Sequence, residues 1–246
     1  MCKRITLGLL AATVVLSGCC CPWTVSRVVR SVTLRGSGNL VTQEMDFSGF
    51  KRLVISHAFV ADVKQSDTYR VEITVDDNLV DHLDVSKRGD TLYVGMDDIS
   101  IFGDATFRAT ITMPTLDGLE ASGASKVTAT GFRSSNAFDL EVSGASSFQG
   151  EIDCGDMHIR VSGASSATFD GTGRNADIGV SGASRARLGG FALQNVNIEA
   201  SGASSATVNV AGRLNAEASG ASTILYVGSP QLGNIEQSGA SSVRPK

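Results

Sequence analysis

The tetrapeptide Ser-Gly-Ala-Ser occurs seven times in this chain, opening at Ser122, Ser143, Ser162, Ser181, Ser201, Ser219 and Ser238, at intervals of 21, 19, 19, 20, 18 and 19 residues. A catalytic motif is needed once. Four small residues recurring at near-even spacing belong to architecture, and a short period of this size points to a stacked solenoid. Aligning the copies on their first serine exposes the pattern around them. Three residues earlier stand Leu119, Leu140, Ile159, Ile178, Ile198, Ala216 and Ile235, and one residue earlier stand Ala121, Val142, Val161, Val180, Ala200, Ala218 and Gln237. Five residues earlier, Phe138, Met157, Ala176, Val196 and Leu214 keep the apolar rule, while the end copies break it with Asp117 and Gly233. These are alternate positions of a strand, so nearly all are expected to point inward.

A second inward row begins five residues after the first serine, with Val127, Phe148, Ala167, Ala186, Ala206, Ile224 and Val243. Between the rows, Gly123, Gly144, Gly163, Gly182, Gly202, Gly220 and Gly239 are assigned to a structural corner, where a residue without a Cβ can take the conformation a sharp bend needs. The motif alanine is expected to be a small inward side chain. Each repeat then reads as strand, corner, strand and return loop, one rung of a coil whose neighbours pair as parallel strands about 4.8 Å apart. A propeller blade needs about 40 residues, twice what is present. A left-handed helix of hexapeptides keeps a stricter period, so the drift from 18 to 21 favours a right-handed parallel β-helix. The expected fold class is all-β.

Residues 36–115 lack the repeat but alternate like half-buried strands at Phe50–Ile55, Phe59–Val63 and Tyr69–Val75. Leu83 to Val94 reads as a hairpin turning at Lys87-Arg88-Gly89-Asp90, and Phe107 to Met113 as a strand ended by Pro114. Solenoids need atypical ends, so this β-rich part is expected to cap the first rung. Gly36-Ser37-Gly38-Asn39, the Phe50-to-Val63 strands, the Asp90-to-Val94 strand, Met113-Pro114-Thr115-Leu116 and the serial corners together resemble the auto-transporter adhesin head GIN domain family over about residues 36–246. The resemblance implies a pectin-lyase-like right-handed β-helix without retained catalytic residues and an adhesive role, mostly in Bacteroidetes-type envelopes.

The first residues set the expected compartment. Lys3 and Arg4 precede a mostly apolar run from Ile5 to Leu16, the pattern of a secretory signal and too short for a lasting membrane span. Leu16-Ser17-Gly18-Cys19 resembles a bacterial lipobox, which implies cleavage before Cys19 and acylation of its thiol, a lipid anchor rather than a span. The expected organisation is a signal peptide over 1–18, anchor and tether over 19–35, the β-rich part over 36–115 and the β-helix over 116–246. The expected location is the cell envelope, lipid-anchored at the outer membrane, with either face of that membrane open. The remaining cysteines form neither a disulfide framework nor a metal-ligand pattern.

Removing Lys3 and Arg4 takes the formal charge from −4 to −6, and this acidic, aromatic-poor chain lacks the basic stripe of a nucleic-acid binder. Chemistry would show on the outward positions before each corner. One row runs Gly118, Asp139, His158, Asp177, Asn197, Asn215 and Asn234, and the other Glu120, Glu141, Arg160, Gly179, Glu199, Glu217 and Glu236. Stacking places His158 between Asp139 and Asp177, and Arg160 beside Glu141. Those five residues are the candidate surface site, read either as cross-rung ion pairs on a solvated face or as the acids and bases of a polysaccharide lyase or glycosidase. The Glu199, Glu217, Glu236 ladder with its asparagines either is screened by counter-ions or draws in a hard cation such as calcium, although a flat sheet rarely offers six ligands. No dinucleotide, phosphate-binding or nucleophile-elbow motif is present, and no cofactor is expected. Arg88-Gly89-Asp90 matches a tripeptide read by some integrins and is also ordinary turn chemistry. The expected function is non-enzymatic adhesion or scaffolding, with a glycan or protein as ligand, in a monomer or small closed oligomer; the alternative is an active or degenerate polysaccharide-processing β-helix.

Overall fold

The computed structural model describes residues 33–97, 100–101 and 104–246. The expected signal segment, Cys19 and the tether up to residue 32 lie outside the described residues. Among the described residues no helix is long and apolar enough to cross a membrane.

The chain is a β-solenoid. Each repeat places one strand in each of two stacked parallel sheets, joined at the Ser-Gly-Ala-Ser corner. In the first sheet, Gly118–Ala121, Phe138–Val142, Met157–Val161, Asn175–Val180, Asn195–Ala200, Arg213–Ala218 and Gln231–Gln237 follow in order. In the second, Lys126–Arg133, Ser147–Asp153, Ser166–Thr172, Arg185–Leu193, Ser205–Val210, Thr223–Val227 and Ser242–Pro245 do the same. Register stacks like on like: Leu119 on Leu140, then Ile159, Ile178 and Ile198. The inward rows are buried as the alternation requires through the sixth repeat, while in the last coil Ile235 and Val243 are half-buried and Gln237 is exposed. Phe138, Phe148, Phe169 and Phe191 form an aromatic column with neighbouring centroids 5.0–6.4 Å apart. Each such side chain removed from water contributes roughly 1.5–3 kcal/mol.

The corner glycines all adopt a left-handed backbone, with φ between 65° and 77°. Their stacking is tight as well as strained. A Cβ built on Gly182 would lie 2.5 Å from the Gly163 carbonyl oxygen, and one on Gly163 would lie 2.5 Å from that of Gly144. The same carbonyls accept hydrogen bonds at 2.8 Å from Ala183 N–H and Ala164 N–H. Glycine is therefore required twice over, for its φ and for the approach of the next coil.

The corner corrects one expectation. The motif alanine points outward and is exposed, while the fourth residue, serine, turns inward: Ser125, Ser146, Ser165, Ser184, Ser204 and Ser222 are at most 3% exposed. Several of these hydroxyls find backbone partners, among them Ser125, Ser204 and Ser222, whereas the Ser165 hydroxyl has none among the described residues. Ser204 Oγ donates to the Val180 carbonyl (3.2 Å) and Ser222 Oγ to the Ala200 carbonyl (2.9 Å), each stapling one coil to the coil before it. Counted in twos from Ala121, alternation reaches Ser125 and Val127, both buried, so its phase survives the corner and only the bending glycine departs from it.

The repeat-free part caps the stack and also extends it. Arg52–Ile55 and Val60–Gln65 pair in parallel below the first repeat, and Thr91–Met96 and Phe107–Met113 pair in parallel below those. Spatial order thus departs from chain order: the chain builds the inner coil, then the outer one, then returns past both to Gly118. Antiparallel strands finish the end, Leu83–Arg88 against Thr91–Met96 in the first sheet, and Arg70–Asp76 and Leu40–Met45 in the second. A single 3₁₀ turn, Asp77–His82, buries Leu79. Beside it the buried Asp76 carboxylate accepts from Gly38 N–H (2.6 Å) and Thr106 N–H (2.8 Å), pinning the Gly36–Asn39 segment down. Thr33–Leu34 pairs in parallel with Ser100–Ile101.

Register reveals an eighth corner. Ile55 aligns with Ala121 and Val60 with Lys126, so Ser56-His57-Ala58-Phe59 occupies the place of Ser-Gly-Ala-Ser. His57 and Ala58 carry φ of 59° and 60°, and Ala58 N–H bonds to the Gly123 carbonyl at 2.9 Å.

Two outcomes test this account. Gly182→Val should destabilise the fold by roughly 1–3 kcal/mol through strain and overlap, whereas Arg187→Ala on the outer face of the second sheet should stay within about 0.5 kcal/mol. Equal denaturation midpoints would contradict the corner. Asp76→Ala should cost roughly 1–3 kcal/mol per orphaned amide and speed hydrogen exchange at Gly38 and Thr106 ahead of the rest of the chain. Unchanged exchange at both amides would remove the pinning role.

Candidate functional site

The outward face of the first sheet is built by the same pairing that buries its other face. The two candidate rows stand in register. Arg52, Gly118, Asp139, His158 and Asp177 follow one another in one row, and Val54, Glu120, Glu141, Arg160, Gly179 and Glu199 in the next. All five predicted site residues, Asp139, Glu141, His158, Arg160 and Asp177, therefore lie together on adjacent strands.

Their partners differ from simple stacking. Asp139 does not take His158; it accepts from Arg52 Nη1 at 2.9 Å, across the gap left by Gly118. His158 Nδ1 instead lies 3.5 Å from Asp177 Oδ2. Arg160 makes no ion pair with Glu141 within 4.0 Å; its guanidinium lies toward Gly179, where an added Cβ would sit 3.5 Å from Nη1. Both ion pairs are largely exposed, so each contributes under about 1 kcal/mol to stability. Burial, reinforced by the neighbouring Glu141 charge, raises the Glu120 carboxyl above its ordinary range.

Glycines at two outward positions shape this face, a signal the sequence carried and the ion-pair reading passed over. The Arg52 guanidinium lies over Gly118, where an added Cβ would sit 2.5 Å from its Cζ, and beside it a depression of about 420 Å³ opens between Arg52, Tyr93, Glu120, Glu141 and Arg160. Where Gly179 leaves no side chain, a second of about 500 Å³ opens between His158, Arg160, Asp177, Asn197 and Glu199. His158 and Arg160 line both.

Farther along, asparagine amides hydrogen-bond from coil to coil. Asn197 Nδ2 donates to Asp177 Oδ1 and Asn215 Nδ2 to Asn197 Oδ1, each at 2.8 Å, and Asn234 N–H to Asn215 Oδ1 at 3.0 Å. These amide oxygens already accept hydrogen bonds, which competes with their use as cation ligands. Glu199, Glu217 and Glu236 stand in register beside them. Among the described residues no group of three or more His, Cys, Asp or Glu could hold a metal ion.

Other polar groups are structural. Arg174 grips Asp156 with two bonds of 2.9 Å, and Asn175 adds one of 2.8 Å; these hydrogen bonds hold the Asp156 carboxyl below its ordinary range. Arg88-Gly89-Asp90 forms the tip of a hairpin. Arg88 lies over the Tyr93 ring (5.1 Å), Gly89 has φ of 62°, and the Asp90 carbonyl accepts from Lys51 N–H and Arg52 N–H.

Cys154 is a half-buried free thiol whose ionisation burial pushes up to about 12, with Asp153 and Asp156 adding to the effect. It should react slowly with iodoacetamide at pH 8 and quickly once the chain is unfolded. Its raised folded value also means that this thiol's contribution to stability is full below the unfolded thiol range and is lost as pH rises from there toward 12. Equal alkylation rates in the native and urea-unfolded chain would contradict the buried thiol.

Comparison with solved structures places the fold. A Bacteroides fragilis putative adhesin superposes with a TM-score of 0.81 at 21% identity, covering 87% of this chain and all of the other. A Parabacteroides merdae putative adhesin gives 0.68 at 21% identity over 88% of this chain and all of its own. A Parabacteroides distasonis protein described as a putative lipid binding protein gives 0.68 at 15% identity, over 87% and 99%. No curated protein matches the sequence. The model of one family matches residues 49–230, spanning the outer coils, the antiparallel cap and the repeats up to the last coil, and by that match the chain belongs to the putative auto-transporter adhesin, head GIN domain family.

Proposed function

We propose that this protein is a lipid-anchored, non-enzymatic adhesin of the bacterial envelope, tethered through acylated Cys19 and projecting its solenoid from the outer membrane. The observation that carries the reading is a rod with two parallel sheets whose outer faces are built from ladders of exposed polar and charged side chains. Such a surface repeats one chemistry along its length, which suits contact with an extended partner. The family and the named adhesins that share the fold point the same way.

Cys19→Ser should release the protein from the membrane fraction, and cells carrying the wild-type gene should adhere to epithelial or bacterial layers better than a deletion strain. Unchanged membrane partitioning would remove the anchor, and equal adhesion of the two strains would remove the adhesin. Turnover of a polysaccharide by the purified protein, lost in His158→Ala, would replace adhesion with catalysis.

A further inference from the structure

The two depressions on the first sheet lie end to end along the direction in which coils stack. From Tyr93 at the capped end, the outward row passes Val54, Glu120, Glu141, Arg160 and Gly179 to Glu199. Six steps of about 4.8 Å make a track of roughly 29 Å. It is open to solvent along its length, which suits a polymer segment lying on it rather than a small molecule enclosed in it.

Groups along the track constrain the partner. Acceptors and donors are both present: Glu120 and Glu141 are followed by Arg160, and Asp177 and Glu199 flank the second depression together with Asn197. A polyanion would face five carboxylates, those of Glu120, Asp139, Glu141, Asp177 and Glu199. A polycation would leave the Arg160 guanidinium, which has no carboxylate within 4.0 Å among the described residues, against like charge. Hydroxyl groups both donate and accept, so a neutral polyol satisfies carboxylates and guanidinium in turn. Hydroxyl donors would also relieve the crowding of Glu120 against Glu141. Gly179 supplies the room in the second depression, where a side chain would fill the space a sugar ring needs, whereas Gly118 lies beneath the Arg52 guanidinium.

We infer that this track is a binding site for a neutral, hydroxyl-rich glycan chain, held by Glu120, Glu141, Arg160 and Glu199 over the depression beside Arg52 and the hollow at Gly179. The inference names the ligand of the adhesin reading and rests on it.

Gly179 permits a clean test. It lacks the left-handed φ of the corner glycines, and an added Cβ meets only Arg160 Nη1 at 3.5 Å and the Ile159 carbonyl at 4.0 Å, both ordinary contacts. Gly179→Gln should therefore fold normally while filling the second hollow. Purified protein should be titrated calorimetrically with cellohexaose, maltohexaose, mannohexaose, hexagalacturonate and chitosan hexamer. At least one neutral hexaose should bind with Kd below about 1 mM. Gly179→Gln and Glu141→Gln should each weaken it about tenfold or more, the loss expected for one hydrogen bond to a charged group. Glu151→Gln on the second sheet should leave it unchanged, and neither charged glycan should compete. Failure of all three neutral hexaoses, preference for a charged one, or indifference to Gly179→Gln would overturn the track. Cell adhesion separates the two readings: adhesion that persists in Gly179→Gln and Glu141→Gln sinks the track and leaves the adhesin, whereas wild-type cells that adhere no better than the deletion strain sink the adhesin itself.

Discussion

Everything in this molecule depends on how closely one glycine corner can approach the next. From Gly144 to Gly220 the carbonyl of each corner glycine sits where a Cβ on the following one would be, as close as 2.5 Å, and accepts the N–H of the following motif alanine, while the Gly123 carbonyl accepts from Ala58 N–H. A bulkier corner would hold the coils apart and break the ladders on both sides of it. The left-handed φ at the same residue turns the chain from one sheet into the other. One residue type thus sets both the spacing and the turn. Four residues after the last inward strand residue the second serine falls inward again, and at Ser204 and Ser222 its hydroxyl reaches back to a carbonyl of the preceding coil.

Much of this was legible because the repeat writes each constraint seven times. The inward rows, the glycine bend and the parallel stacking follow from alignment and alternation alone. What failed to show did so for identifiable reasons. Assigning the motif alanine inward by its small size set aside the alternation, which runs with one parity from Ala121 through Ser125 to Val127 and leaves Ala124 outward. The corner at Ser56–Phe59 was hidden because the chain visits another coil before returning, which removes the period, and because His57 stands in the glycine position. Its trace was there in Leu53-Val54-Ile55-Ser56, which repeats the spacing of Leu140-Glu141-Val142-Ser143. Side-chain partners on the surface were the least legible. Stacking order brings His158 near both Asp139 and Asp177, and only the reach of Arg52 over Gly118 decides which carboxylate it meets.

Function rides on this scaffold through the same economy. A parallel coil displays whatever its outward positions hold as rows at the strand spacing, so a ligand surface needs no dedicated loop. Two glycines outside the corners relieve a flat charged face: Gly118 admits the Arg52 guanidinium over its strand, and Gly179 leaves a hollow. Their role is the reverse of the corner glycines' role: they make space for something else, whereas the corners remove space between coils.

The central claim is that the corners form a continuous backbone ladder rather than loops. Amide hydrogen exchange at Ala164, Ala183, Ala203 and Ala221 tests it most directly, because their side chains are exposed while their N–H groups are bonded at 2.8 Å to a glycine of the preceding coil. The ladder predicts exchange as slow as at the strand interiors, for example Ile178 and Ile198. Exchange at the rates of exposed loops would mean that the coils are held only by their strands, and that the motif is a flexible connector.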